Sequence, residues 1–258
     1  MTCIALEMNI WKNEEYDRGS CSFAHEWSPQ GVSMGSLIGA AGFFLGIHLV
    51  ISGTRIRSVI VQRTGESAYL GLFSVASLAG IVWLIHAYGQ APMIELWGQV
   101  TSMRWIAAVL MFFACLFLVL GMATPNPTAI GGENMITQGG SIRGIFRITR
   151  HPFLVGTGLW SGVHLIYNGD AAAVTFFGTF FLLSLLGPMS IDAKQRRALG
   201  DPWRQFAERT SVIPMLAIVQ GRNRFHFGEL GWWRLVLGFV LFAVLGYFHE
   251  TLFGVVPR

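Results

Sequence analysis

In residues 143–170, RGIFRITRHPFLVGTGLWSGVHLIYNGD, a cluster of cations leads directly into an apolar segment. Pro152 follows the cations at a position that suits the first turn of a helix. His164 lies inside the apolar segment that comes next. Because an ionisable side chain is costly within a membrane-spanning segment, His164 is a candidate functional residue.

Composition predicts an integral membrane protein. The 258 residues are 53% hydrophobic and only 12% charged, whereas soluble domains carry about 25% charge. The net charge of +4 comes from cations in the connections between apolar runs, so we expect a lipid bilayer as partner and no nucleic acid. Three cysteines without a Cys-x-x-Cys motif predict neither a disulfide framework nor a zinc site.

Two parts of the chain differ in character. Residues 1–33 are polar and of mixed charge, without the basic head and apolar core of a signal peptide, so they are predicted to be a disordered tail. The apolar sequence begins at Met34, which raises the hypothesis that translation in the cell starts there. Residues 34–253 are predicted to form a transmembrane domain.

Six apolar runs predict an all-α, polytopic transmembrane helical bundle of about six spanning helices. Each run approaches the roughly 20 residues that a spanning helix needs. Only Asn168-Gly169-Asp170 separates the fourth run from the fifth, so these two are expected to form a hairpin. The runs cover residues 34–53, 68–88, 104–122, 152–168, 171–188 and 232–249.

The distribution of cations predicts the orientation of the chain. Of the 18 lysines and arginines, 13 lie in the connections after the first, third and fifth runs, and 5 lie elsewhere. By the positive-inside rule these connections are cytoplasmic and both chain ends lie outside. We therefore expect a multi-pass protein of the bacterial inner membrane with its N-terminus outside.

Two further segments have predicted packing roles. Residues 189–210 are basic with a weak apolar side, which predicts an amphipathic helix on the cytoplasmic membrane interface. In the first run, small residues on one helix face are expected to allow close contact with a neighbouring helix. These small residues are Gly35, Gly39, Gly42 and Gly46.

Two of the seven histidines, His48 and His164, lie within apolar runs on different helices, whereas His86 and His249 lie at run ends, where interfacial residues are common. Two imidazoles from separate spanning helices are the usual protein ligands of a membrane-embedded b-type haem. The alternative is a pair of packed histidines bonded to carbonyl or hydroxyl groups. Depth weighs against a shared iron, because His48 lies about 9 Å and His164 about 21 Å from the cytoplasmic ends of their helices.

The cations before the fourth run suggest a binding mouth. Arg150 falls on the His164 side of the helix, and His151 is expected to point to the other side. Arginines at this position could bind haem propionates, an anionic substrate or lipid headgroups, or could serve only to set topology. Asp192 and Glu208 are predicted to form ion pairs on the helix surface.

Three groups of motifs resemble the NnrU family of bacterial membrane proteins over roughly residues 34–220. The first group is Gly46-Ile47-His48-Leu49 with Gly71-Leu72-Phe73-Ser74. The second is Arg147-Ile148-Thr149-Arg150-His151-Pro152 with Trp160, His164 and Asn168-Gly169-Asp170. The third is Asp192-Ala193-Lys194 with Leu199-Gly200 and Trp203.

The resemblance implies a function. The family takes its name from a gene linked to bacterial nitrite and nitric oxide metabolism, and it is related to the zeta-carotene isomerases of plants and cyanobacteria. Those are membrane enzymes with haem b that shift a cis double bond, and their two axial histidines match His48 and His164. Ser161 stands where the plant enzyme has a cysteine implicated in a redox-linked ligand change.

We therefore expect haem b bound by His48 and His164, with Arg150 and His151 as further cofactor contacts and a lipophilic small molecule as substrate. A rival prediction is an S-adenosylmethionine-dependent methyltransferase, because Arg150-His151-Pro152 with Gly156 is similar to the isoprenylcysteine carboxyl methyltransferases. Under this prediction, Asp192 occupies the position where those methyltransferases usually have a pair of acidic residues. A third prediction is a non-catalytic accessory protein for the assembly of respiratory or haem enzymes.

Overall fold

The computed structural model describes residues 34–98, 100, 104–128, 131–137 and 142–254, so the predicted tail at residues 1–33 lies outside the described part. Within these ranges the chain forms helices and connections without a strand. The α-helices are α1 (Met34–Leu45), α2 (Arg55–Thr64), α3 (Glu66–Gln90), α4 (Arg104–Ala123), α5 (Glu133–Thr137), α6 (Pro152–Asn168), α7 (Ala171–Leu199), α8 (Asp201–Arg209), α9 (Leu216–Val219), α10 (Trp232–Tyr247) and α11 (His249–Phe253). A π-helical segment, Gly46–Ile51, continues α1, and short 3₁₀ helices span Gly144–Arg147 and Phe227–Leu230.

The prediction of an all-α helical bundle is confirmed, and each predicted apolar run coincides with a helix. Four helices in the described part are long and apolar enough to cross a membrane: α1 with its π-helical extension, α3, α4 and α7. The helices over the fourth and sixth runs are shorter, with 17 residues in α6 and 16 in α10. The count of six spans stays a prediction.

The helices α1 and α6, which carry His48 and His164, both pack against α7. α1 packs against α3 and α7, while α6 lies between α7 and α4, and α10 covers α4. Leu37 near the start of α1 shares a core cluster with Ala173 near the start of α7, and Gly53 beyond the π-helical segment lies against Ser190 farther along α7. Thus α1 runs parallel to α7 and antiparallel to α6.

Close helix contact occurs between α4 and α6, not along the first run. A Cβ atom at Gly156 would lie 2.8 Å from the backbone nitrogen of Leu118, and one at Gly121 would lie 2.7 Å from that of Phe153. In contrast, a Cβ atom at Gly42 or Gly46 would meet nothing within 4 Å. The predicted glycine contact is therefore wrong for these two positions, because α1 meets its neighbours through larger side chains.

The predicted hairpin of the fourth and fifth runs is confirmed, and the α3–α4 connection covers its turn. Gly169 adopts a left-handed φ of 70°, and the Asp170 carboxylate accepts a hydrogen bond from Ala173 N at 2.8 Å to cap α7. The Gly169 carbonyl oxygen accepts hydrogen bonds from three successive backbone N–H groups. These donors are Leu96, Trp97 and Gly98, at 2.9, 3.1 and 3.3 Å.

The segment at residues 189–210 differs from its prediction. Its first half continues α7, and its second half forms α8. Trp203 and Phe206 of α8 are 1% and 8% exposed, and they pack in a protein core with Ile145, Phe146 and Leu230. The assignment of this apolar side to the membrane interface is therefore wrong, because neighbouring loops cover it. These loops lie at the end of the bundle that the sequence predicts to be cytoplasmic, which is called the inner end below, and the opposite end is called the outer end.

Candidate functional site

The imidazole of His48 has one nitrogen fixed by the backbone. His48 lies in the π-helical segment Gly46–Ile51, a rare conformation that is frequent at functional sites. Its Nδ1 lies 2.8 Å from the carbonyl oxygen of Phe44, and because a carbonyl only accepts, Nδ1 carries the proton. The Nε2 lone pair can then accept a hydrogen bond from the Ser77 hydroxyl at 3.4 Å.

His164 has the same arrangement on α6. Its Nδ1 donates to the carbonyl oxygen of Trp160 at 2.8 Å, and its Nε2 has no hydrogen-bond partner among the described residues. The neighbouring hydroxyl of Ser161 is fully buried and donates to Thr157 O at 2.7 Å. Both histidines therefore present an Nε2 lone pair, the form in which an imidazole ligates a metal.

Aromatic contacts with Phe180 show how far apart His48 and His164 lie along the helix axes. Phe44 and Trp160 both contact Phe180 of α7, with ring centres 5.6 and 5.4 Å apart. His48 lies one turn beyond Phe44 toward the inner end, and His164 lies one turn beyond Trp160 toward the outer end. Their backbones are therefore about 11 Å apart along the helix axes, close to the depth difference that the sequence indicates.

The two imidazoles lean toward the same level of the bundle. A helical side chain leans toward the N-terminus of its own helix, and the bonds to the carbonyls four residues earlier fix that lean here. Because α1 and α6 are antiparallel, His48 leans outward and His164 leans inward. This lean reduces the depth difference between the two imidazoles, so His48 and His164 could hold one haem between them.

The level between the histidines is apolar and aromatic. No ring contact joins His48 to His164 among the described residues; the space near them is lined by Phe44, Trp160, Phe177 and Phe180. Within the same part of the chain no group of three or more His, Cys, Asp or Glu side chains is placed to hold a metal ion. The donor set is thus a pair of imidazoles in an apolar surrounding, which suits haem b.

A third imidazole lies beside His164. The ring centres of His164 and His249 are 6.4 Å apart with planes 19° apart, while Phe177 stacks on His164 at 4.7 Å. The sequence places His249 at the outer end of the last run, as an interfacial residue. Its contact with His164 depends on how α11 returns to α6, which no local pattern in the sequence indicates.

Arg150 and His151 both contact Asp192 of α7. Arg150 donates to the carboxylate through Nε at 3.0 Å and Nη2 at 2.5 Å, and His151 Nε2 lies 2.7 Å from the other oxygen. The three side chains are 13%, 2% and 12% exposed for Arg150, His151 and Asp192. The expectation that His151 points away from Arg150 is therefore wrong. Asp192 is a buried link between α6 and α7 and not a surface ion pair.

A second carboxylate holds the loop before α6. Arg147 donates to Glu229 through Nε at 2.7 Å and Nη2 at 2.9 Å, and Gly144 N donates to the same carboxylate at 2.8 Å. The Arg147 hydrogen bonds are the main reason that the pKa of Glu229 falls from 4.5 to about 2. Glu229 was not singled out from the sequence, since it lies 82 residues after Arg147 in a short 3₁₀ helix.

Comparison with known families assigns most of the chain to one of them. The family described as NnrU protein matches residues 36–257, so the chain belongs to the NnrU family. This agrees with the resemblance of the motifs around His48 and His164.

Two curated relatives are each named 15-cis-zeta-carotene isomerase, chloroplastic. The Arabidopsis thaliana protein is 29% identical over 175 residues, which is 65% of this chain and 46% of that protein. The Zea mays protein is 31% identical over 166 residues, which is 62% of this chain and 44% of that protein. The chain thus matches less than half the length of either relative. No solved structure matches it.

Proposed function

We propose that this chain is a membrane enzyme that holds one haem b between His48 and His164 and isomerises a double bond in a lipophilic substrate. The observation that carries the proposal is the matched state of the two imidazoles, each with Nδ1 bonded to a carbonyl and Nε2 left as a lone pair. The names of the two relatives support isomerisation as the reaction class.

In this function the side chains of the chain would hold the haem, surround it with apolar surface and keep the helices in place. His48 and His164 would hold the haem by Nε2, while Phe44, Phe177 and Phe180 would exclude water and give flat apolar surfaces to a polyene. The haem would supply an iron that can bind and polarise electron-rich groups or change oxidation state. Arg150 and His151, the other predicted cofactor contacts, would act chiefly through Asp192 by holding α6 against α7.

An absorption spectrum of the detergent-purified protein tests the cofactor. Oxidised and dithionite-reduced samples should show a Soret band and sharp reduced α and β bands at about one haem per chain. His164→Ala and His48→Ala should each abolish or strongly alter these bands. His86→Ala is the matched control, because His86 is exposed and bonded to Gln90. A featureless spectrum from folded protein expressed with ample haem would remove the proposal.

The reaction is tested separately with the haem-loaded protein in lipid nanodiscs. A cis polyene such as a 15-cis-carotenoid should be converted to its trans isomer, and conversion should stop in His164→Ala. The rival predictions give different results: turnover of nitrite or nitric oxide would support a denitrification-linked role, and saturable binding of S-adenosylmethionine would support a methyltransferase. Haem binding with no turnover of any of these would support an accessory protein.

A further inference from the structure

A buried hydroxyl without a partner lies at the inner end of the His48 site. Tyr69, in the first turns of α3, is 4% exposed, and its Oη is fully buried with no hydrogen-bond partner in the described part of the chain. An unpaired buried hydroxyl is costly, so such a group in a native protein calls for an explanation such as a bound ligand.

Tyr69 is linked to His48 through one aromatic ring. Its ring stacks on Phe73 with centres 6.0 Å apart, and Phe73 meets the His48 ring at 5.2 Å. Tyr69, Phe73 and Ser77 recur every four residues, so they share one face of α3, and Ser77 contacts His48 directly. Tyr69 thus lies on the face of α3 that contacts His48, nearer to the start of α3 than Phe73 and Ser77.

A guanidinium group covers Tyr69. Arg57 of α2 lies 5.2 Å above the Tyr69 ring centre and forms an ion pair with Glu66 at the start of α3. The Arg57 side chain is 21% exposed, so its charge is partly withdrawn from water.

Lys194 is a second cation, near enough to Arg57 for the two charges to interact. It is half-buried on α7, and no hydrogen bond or ion pair joins it to another described residue. The charges that act on it are those of Arg57, Glu133 and Glu66. Arg197, one turn later on α7, donates to the Gly53 carbonyl at 3.4 Å, which brings the inner end of α7 against the segment that leads into α2.

We infer that Tyr69 Oη, Arg57 and Lys194 form a binding site for one anionic oxygen group, a carboxylate or a phosphate. Such a group would accept the Tyr69 hydrogen bond and lie between two cations that otherwise act on each other unfavourably. Arg150 does not supply this charge, because Nε and Nη2 of its guanidinium both donate to Asp192, whereas Arg57 donates to Glu66 through Nη2 alone. The carboxylate source, a haem propionate, rests on the function proposed above; the phosphate source is an anionic lipid and is independent of it.

Titration with two forms of haem tests the carboxylate source. Full-length protein in detergent is titrated with protohaem and with its dimethyl ester, whose propionates carry no charge, and binding is followed by the Soret band. Wild type should bind the free acid about tenfold more tightly than the ester, as expected for charge-assisted hydrogen bonds. Tyr69→Phe and Lys194→Met should each remove most of this preference, and Lys194→Arg should restore it.

Native mass spectrometry tests the phosphate source on the same variants. Protein from nanodiscs that contain phosphatidylglycerol should retain one anionic lipid, which Tyr69→Phe and Lys194→Met lose. The matched controls are Arg196→Met, an exposed cation on the same helix, and Tyr247→Phe, an exposed tyrosine. Absence of haem binding with retention of the lipid would remove the proposed function and leave the anion site. If folded variants keep both the ester discrimination and the lipid of wild type, the anion site is overturned.

Discussion

At the scale of single residues, two carboxylates hold the inner end of the bundle, and each serves more than one donor. Asp192 accepts hydrogen bonds from Arg150 and His151, while Glu229 accepts them from Arg147 and the Gly144 N–H group. Removing one partner of a buried ion pair leaves the other partner desolvated and unpaired, which costs far more than the loss of an exposed pair. We therefore expect the loss of the buried Asp192 to cost more than the loss of an acidic residue on the surface, with the partly exposed Glu229 between the two.

Replacement of Asp192 should be strongly destabilising. Asp192→Asn removes the charge that pairs with Arg150 and should lower the free energy of unfolding by about 3–5 kcal/mol. Thermal unfolding of the detergent-purified protein measures this change. Asp201→Asn is the control, because the Asp201–Arg204 pair is 75% and 71% exposed and should contribute less than about 1 kcal/mol. Equal effects of the two substitutions would contradict the buried pair.

The Glu229 contact should make stability depend on acid pH. Because the folded pKa of Glu229 is about 2 and its usual value is 4.5, the contact stabilises the protein fully above pH 4.5. This stabilisation is lost as the pH falls from 4.5 toward 2. The difference in thermal midpoint between wild type and Glu229→Gln should therefore shrink over that range. A difference that stays constant down to pH 2 would show that the Arg147 contact is not ionic.

The sequence identifies His48 and His164 as candidate site residues more readily than it identifies the role of Asp192. His48 and His164 are recognisable because a histidine within an apolar run stands out from its neighbours. Asp192 does not stand out, since it lies in a basic segment where a surface ion pair is the ordinary outcome. Its burial depends on Arg150 and His151 arriving from another helix, and a spacing of 42 residues carries no local periodicity.

At the scale of elements, the helix positions follow from hydropathy, while the contacts between helices do not. The six apolar runs coincide with helices because a membrane-spanning backbone must satisfy its own hydrogen bonds. The glycines of the first run share a face with the spacing of a contact surface, yet close contact between helix backbones is made by Gly156 on α6 and Gly121 on α4. Helical spacing shows which residues share a face but not which helix lies opposite.

A methyl group at the α4–α6 contact should force these helices apart. In Gly156→Ala the new Cβ would lie 2.8 Å from Leu118 N and 2.9 Å from the Ala114 carbonyl oxygen, both backbone atoms. We expect a loss of about 1–3 kcal/mol in unfolding free energy, measured by thermal unfolding. Gly42→Ala is the matched control in a spanning helix, where nothing lies within 4 Å and no loss is expected.

At the scale of the whole molecule, the end of the bundle with most of the cations is also the end with a second packed core. The end that the sequence assigns to the cytoplasm contains α8, the short helix α5 and a second core cluster that includes Ile142, Ile145 and Leu230. Among the described residues, the opposite end contains short connections such as residues 91–98. The proposed orientation therefore places the larger extramembrane part of the described chain on the cytoplasmic side.

Cysteine labelling tests this orientation. In a background with the native cysteines replaced by serine, Met93→Cys should react with a membrane-impermeant maleimide in intact spheroplasts. Ser58→Cys should react only after the membrane is opened. Both positions are exposed in the structure, so a lack of reaction reports sidedness and not burial. The reverse pattern would place the N-terminus on the cytoplasmic side.

The three hydrogen bonds onto the Gly169 carbonyl oxygen would limit how a substrate of the proposed function reaches His164. They fasten the α3–α4 connection across the end of α6 and α7, together with the hydrogen bonds from Ala171 N to Ile94 O at 2.8 Å and from Trp97 Nε1 to Ile166 O at 2.9 Å. A long apolar molecule would then approach His164 sideways, through a gap between helices that opens onto the acyl chains. Turnover would follow the mole fraction of substrate dissolved in the bilayer, and diluting the membrane with inert lipid would slow it at constant bulk concentration.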